Sequence, residues 1–142
     1  MRRHGAAAAL VVVAFGLAGC RRKPPPPPPR PAQSASQAAQ AGKAVVVAYL
    51  NHLDKAEYRA AWALLSRESQ AQHPYDTFAE QARKGGPLYD TGAAAAKAAG
   101  KGRVVVSIPH VEDPARVTFE VAQEADRWRL VYRSGRPWTP YP

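Results

Sequence analysis

The stretch Arg116-Val117-Thr118-Phe119-Glu120-Val121-Ala122-Gln123, then Glu124-Ala125-Asp126, then Arg127-Trp128-Arg129-Leu130-Val131-Tyr132-Arg133, decides the fold. Two runs alternate apolar with polar residues around a short polar turn, the pattern of an antiparallel hairpin. The side chains set its register. With Gln123 opposite Trp128, Val121 falls opposite Leu130 and Phe119 opposite Tyr132, so the large apolar residues share one face. Thr118, Glu120, Arg129 and Arg133 take the other. A sheet with one apolar face needs a second layer to cover it.

Working upstream, Arg103-Val104-Val105-Val106-Ser107-Ile108 reads as another strand, stopped by Pro109, which cannot donate to a ladder. Glu112-Asp113-Pro114 is turn chemistry. The segment 88–99 gives two signals. Its alanine run favours helix by propensity, while its position suits a first strand against 103–108.

The covering layer lies further upstream. Val46, Tyr49, Leu50 and Leu53 recur at spacings of three and four, predicting an amphipathic helix over 43–53. Asp54 then reads as an N-cap, with Glu57 completing a capping-box-like pair and Leu53 with Tyr58 forming a hydrophobic staple. Tyr58, Ala61, Trp62 and Leu65 form the stripe of a second helix that fades in the polar run 66–72. Thr77-Phe78-Ala79-Glu80 is a second capping box, opening a third helix that ends before Gly85-Gly86-Pro87.

Helices followed by an antiparallel sheet define an α+β class. The residues Ala48-Tyr49-Leu50-Asn51-His52-Leu53-Asp54-Lys55-Ala56-Glu57-Tyr58, Ala61-Trp62-Ala63-Leu64-Leu65-Ser66, Val117-Thr118-Phe119-Glu120-Val121 and Arg127-Trp128-Arg129-Leu130 carry a resemblance. Over 43–135 the chain resembles the nuclear-transport-factor-two-like (cystatin-like, ketosteroid-isomerase-like) superfamily, especially its small bacterial lipoprotein members. The resemblance implies N-terminal helices packed on a curved antiparallel sheet, cone-shaped, a fold that often forms a homodimer through its sheet. In enzymes of that superfamily the open end of the cone holds a carboxylate or a His–Asp pair with a tyrosine donor. The residues here that could serve are His52, Asp54, Tyr58, Tyr89 and Asp90.

None of these forms a catalytic signature. Asp54 is accounted for as a cap, and His52 lies at a helix end, whereas a general base needs desolvation and a partner within reach. His73 and His110 each flank a proline without the spacing of zinc ligands. No Gly-x-Ser-x-Gly elbow and no glycine-rich phosphate loop occur. Trp62 and Trp128 read as core anchors. The expectation is therefore no catalytic residue, no metal and no cofactor.

The N-terminus carries the sharpest motif. Arg2 and Arg3 precede an apolar run from Ala6 to Gly19, and Leu17-Ala18-Gly19-Cys20 ends it with the single cysteine of the chain. This resembles the lipobox of bacterial lipoproteins: a signal peptide over 1–19, cleavage between Gly19 and Cys20, and lipid attachment at Cys20. As a helix, Ala6 to Gly19 would rise roughly 21 Å, short of a hydrocarbon core of about 30 Å. Two other readings of Cys20 are a free thiol after an ordinary signal and a residue of an uncleaved anchor. One cysteine leaves no intrachain disulfide.

Residues 20–42 read as a basic, proline-rich linker. Pro24 to Pro29 would extend roughly 19 Å as polyproline II. The linker either lifts the domain from the lipid headgroups or docks a proline-reading partner. The tail 136–142, Arg136-Pro137-Trp138-Thr139-Pro140-Tyr141-Pro142, either packs back across the sheet or recognises a partner.

A net charge of +9 suggests nucleic acid, but its distribution argues otherwise. Six of the 20 basic residues precede residue 43, leaving 14 against 11 acidic ones with the signs interspersed. Nucleic acid is excluded as a partner. The sequence then points to an envelope lipoprotein held by its acyl chains, with the periplasmic face of the outer membrane favoured because Arg21, not aspartate, follows the cysteine. Its domain would be a non-enzymatic module binding an envelope protein or a small apolar ligand. The alternative is an isomerase- or hydrolase-type enzyme with a carboxylate or His in the cone.

Overall fold

The computed structural model describes residues 34–112 and 115–139, which lie within one compact unit, Ala32–Pro142. The signal, Gly19, Cys20, most of the linker, Asp113-Pro114 and Tyr141 lie outside the described residues. The architecture is α+β: four helices and an open four-stranded antiparallel sheet.

Helix α1 (Ala35–Asp54) starts well before the expected residue 43. Its N-cap is Ser34, whose Oγ accepts the Gln37 amide while Gln37 Oε1 accepts the Ser34 amide, a complete capping box. The segment 34–42 lacks the large apolar residues that would mark it as helix and resembles the linker in composition. Its alanines are strong helix formers, and the small Gly42 falls on the buried face with Val46, Tyr49, Leu50 and Leu53.

Asp54 is not an N-cap; it is the last residue of α1. The helix closes by a Schellman arrangement: the Ala56 amide donates to Leu53 O (3.0 Å) and the Glu57 amide to His52 O (2.8 Å). Ala56 takes the left-handed conformation, φ +57°, where glycine is usual. Helix α2 (Tyr58–Ala63) then starts from Glu57 with no side-chain cap. The polar run 66–72, expected to be irregular, is helix α3 (Arg67–Gln72), capped by Ser66 Oγ on the Ser69 amide. Helix α4 (Tyr75–Arg83) has its N-cap at Pro74, three residues before the expected Thr77 cap. A 3₁₀ turn at Thr91–Ala93 follows, held by Asp90 Oδ1 on the Ala93 amide.

Strands β1 (Ala95–Gly100), β2 (Arg103–Pro109), β3 (Arg116–Glu124) and β4 (Arg127–Val131) form a meander in the order β1-β2-β3-β4. The alanine run is thus a strand, because pairing with β2 outweighs its helical propensity. In the β3–β4 hairpin, Gln123 faces Trp128 and Val121 faces Leu130, as the side-chain pattern required. The third expected pair, Phe119 with Tyr132, falls one residue past β4. The Tyr132 amide donates instead to buried Ser69 Oγ at 2.9 Å.

Val104, Val106, Ile108, Phe119, Val121 and Leu130 point inward and are fully buried beneath α1. Trp128, expected to be a buried anchor, is half-buried at the hairpin end, and its Nε1 has no partner among the described residues. On the outer face Glu120 is nevertheless buried, ion-paired with Arg103 and 3.9 Å from Arg133. Arg129 does not simply meet solvent. Its guanidinium donates to Ala63 O, the last residue of α2. The backbone at Leu64–Ser66 runs along β4, with Leu130 N donating to Leu64 O (2.9 Å) and Ser66 N to Leu130 O (2.8 Å). That edge is therefore covered.

Candidate functional site

The residues singled out for chemistry do not converge. His52 Nδ1 lies 2.6 Å from Glu57 Oε2, a partly exposed pair across the end of α1. Asp54 and Asp90 are exposed, and Asp90 is engaged as a cap. Tyr58 is half-buried under the guanidinium of Arg83, at 5.8 Å. His73 packs edge-on to the Tyr132 ring at 4.4 Å, and its carbonyl accepts Trp62 Nε1 at 2.9 Å. The His110 ring packs at a tilt against Tyr89, with centroids 5.2 Å apart. Among the described residues no three His, Cys, Asp or Glu side chains gather as for a metal, and no helix is long and apolar enough to cross a membrane.

What does converge is a group of tyrosines around the C-terminal tail. Tyr49, from the centre of the α1 stripe, donates its hydroxyl to Pro137 O at 2.6 Å in a buried bond. Tyr89 donates to the next carbonyl, that of Trp138. The indole of Trp138 donates in turn to Ala82 O at the end of α4, 3.1 Å away. Its ring lies over Gly86, where a Cβ would come 2.1 Å from Trp138 Cγ. Glycine is required there by space alone.

The tail reaches this position by a short hook. Gly135 has φ +71°, a conformation L residues rarely adopt. Ser134 Oγ accepts the Arg136 amide at 3.0 Å and donates to Thr139 O, while the Thr139 amide bonds to Arg136 O at 3.0 Å. A cleft of about 230 Å³ remains between the tail and the end of α4, bordered by Gln81, Lys84, Arg136 and Trp138.

Burial fixes the protonation of the tyrosines. Tyr49 is raised well above the usual phenol value, chiefly by burial and then by its neighbours Tyr132 and Tyr89. Burial pushes Tyr89 up to about 12 and raises Tyr132 as well. All three remain neutral through physiological pH, so Tyr49 and Tyr89 act as fixed O–H donors aimed at backbone carbonyls.

Tyr89 is among the candidate residues of the sequence, whereas Tyr49 stands there only as part of the helical stripe of α1. The signal was present. A tyrosine among Val46, Leu50 and Leu53 needs a partner for its hydroxyl, and a proline-rich tail supplies carbonyls that no ladder consumes. No protein-family profile matches the chain, and no curated protein matches it.

Proposed function

We propose that this chain is an envelope lipoprotein anchored through Cys20, whose domain is a non-enzymatic binding module of the nuclear-transport-factor-two-like kind. The observation that carries the binding reading is the filled interior. Tyr49, Phe78, Phe119 and Tyr132 are all at most 1% exposed, and the tyrosine hydroxyl of α1 is engaged by the chain's own backbone. An enzyme of the isomerase or hydrolase type needs polar groups converging on an open pocket, whereas a closed interior leaves the surface for recognition. The outer face of the sheet, with Arg103, Arg116, Arg127 and Arg133 exposed, offers such a surface to an envelope partner.

The anchor reading rests on Leu17-Ala18-Gly19-Cys20 and the short apolar run before it. Arg21, Arg22 and Lys23 support it, because each basic residue beside an anionic lipid surface adds about 1 kcal/mol to membrane binding. With Arg21 after the cysteine, the outer membrane is the favoured destination. Metabolic labelling with a fatty acid, followed by membrane fractionation, tests the anchor. Label should enter the wild-type chain and be lost in Cys20→Ser, and label persisting in the variant overturns the reading. Affinity capture of the lipidated chain from its own envelope tests the module: a partner lost in Arg127→Glu, a change at an exposed position away from the buried Glu120, supports it, and capture no different from that of an unrelated lipoprotein overturns it.

A further inference from the structure

We propose that the groove holding residues 136–139 is a peptide-recognition site, specific for a proline–aromatic segment, which the chain's own tail occupies as a removable latch. The contacts have the form of ligand recognition. Two side-chain hydroxyls from the domain, Tyr49 and Tyr89, read two consecutive backbone carbonyls, Pro137 O and Trp138 O. A slot floored by Gly86 takes the indole, and Ala82 O receives its N–H. Pro137 contributes no N–H of its own and holds its φ in advance, so little conformational freedom is lost when the segment seats. Aromatic side chains reading a proline-containing segment are a recurring solution to peptide recognition.

The latch has its own hinge and closure. Gly135 is the hinge, and Ser134 with the Arg136–Thr139 hydrogen bond keeps the hook folded. These bonds lie within residues 134–139, so the hook leaves as a folded unit once its contacts with Tyr49, Tyr89 and Ala82 O are broken. A short tether gives the tail an effective concentration in the millimolar range. A competing segment on another protein must overcome that figure, so the resident tail sets a threshold for occupancy. This inference rests on the binding-module reading and names the ligand class for it.

The experiment uses the chain ending at Gly135 and a fluorescein-labelled peptide, Arg136–Pro142. Fluorescence anisotropy should show saturable binding to the shortened chain and at least tenfold weaker binding to the full chain. Trp138→Ala in the peptide, or Gly86→Ala in the shortened chain, should each weaken binding at least tenfold. A cooperatively folded shortened chain that shows no saturable binding overturns the proposal. Hydrogen exchange of the Trp138 indole N–H in the intact chain, followed by NMR, decides the case if the shortened chain fails to fold. Exchange through a local opening insensitive to low urea supports the latch, and exchange only through global unfolding overturns it. Failure on either ground leaves fatty-acid labelling and envelope capture unaffected, so the broader reading is tested separately.

Discussion

Gly42 and Val104 are in such close contact that a Cβ on Gly42 would lie 2.6 Å from Val104 Cγ1 and 2.7 Å from its Cβ. This is where α1 comes down onto β2, and no side chain larger than hydrogen fits. Gly42→Ala therefore sets two effects against each other. Alanine gains about 1 kcal/mol of helix propensity, but overpacking against a stiff β-branched side chain costs about 1–3 kcal/mol. The clash should win, giving net destabilisation of about 1 kcal/mol in urea titration. Val104→Ala in the same chain should recover part of the Gly42→Ala loss, and simple additivity of the two changes would deny the contact.

Ala56 presents the opposite case, an alanine where glycine belongs. Its φ of +57° closes α1, and left-handed backbone costs an L residue about 1–2 kcal/mol. Glycine carries no such penalty but has more freedom to lose on folding. Ala56→Gly should stabilise the domain by about 0.5–1 kcal/mol, read as a higher urea midpoint with an unchanged slope. The His52–Glu57 pair spans this turn and should be preserved.

These two positions show how much was legible in the sequence. The hairpin register was, because a shift of one residue would turn Val121 and Leu130 to solvent. The central strand and the core stripe of α1 were also legible, since their period is unambiguous. The helix ends were not. Ser34 with Gln37 is a capping box hidden in a stretch without large apolar residues, and Asp54 and Thr77 carry cap-like side chains that the backbone leaves unused. The alanine strand was ambiguous because its pairing with β2, not its own composition, decides its state. The tail's seat could not be read from local pattern, since it depends on Tyr49, 88 residues distant from Pro137.

The hairpin gives a third prediction, in which three neighbouring residues separate. Leu130 is fully buried, so Leu130→Ala should cost about 3 kcal/mol. Trp128 is half-buried and leaves its N–H unpaired, so Trp128→Ala should cost less, about 2 kcal/mol. Arg129→Ala should not be silent. It removes the bond to Ala63 O that ties α2 to β4, a loss of about 1 kcal/mol. Urea titration of the three variants should give that order, and an effect of Arg129→Ala within error of zero would remove that tie from the account.

The tyrosines make the fourth prediction one of alkaline stability. Burial raises Tyr49, Tyr89 and Tyr132 above the usual phenol value near 10, so the folded state holds their protons more tightly than the unfolded chain does. The sign follows from linkage: where the unfolded state has released protons and the folded state has not, stability falls as pH rises. The contribution is complete below about pH 10 and declines above it, toward the raised value of about 12 for Tyr89. Unfolding by base should therefore set in between these limits, with phenolate absorbance and loss of circular dichroism rising together. Tyr49→Phe removes the most deeply buried of the three ionisations but leaves Pro137 O without its donor. The variant should be less stable at pH 7, by about 1–2 kcal/mol for an unpaired buried carbonyl, and its stability should decline less steeply above pH 10. A parallel decline in variant and wild type would mean that Tyr49 is not among the groups whose ionisation opens the fold.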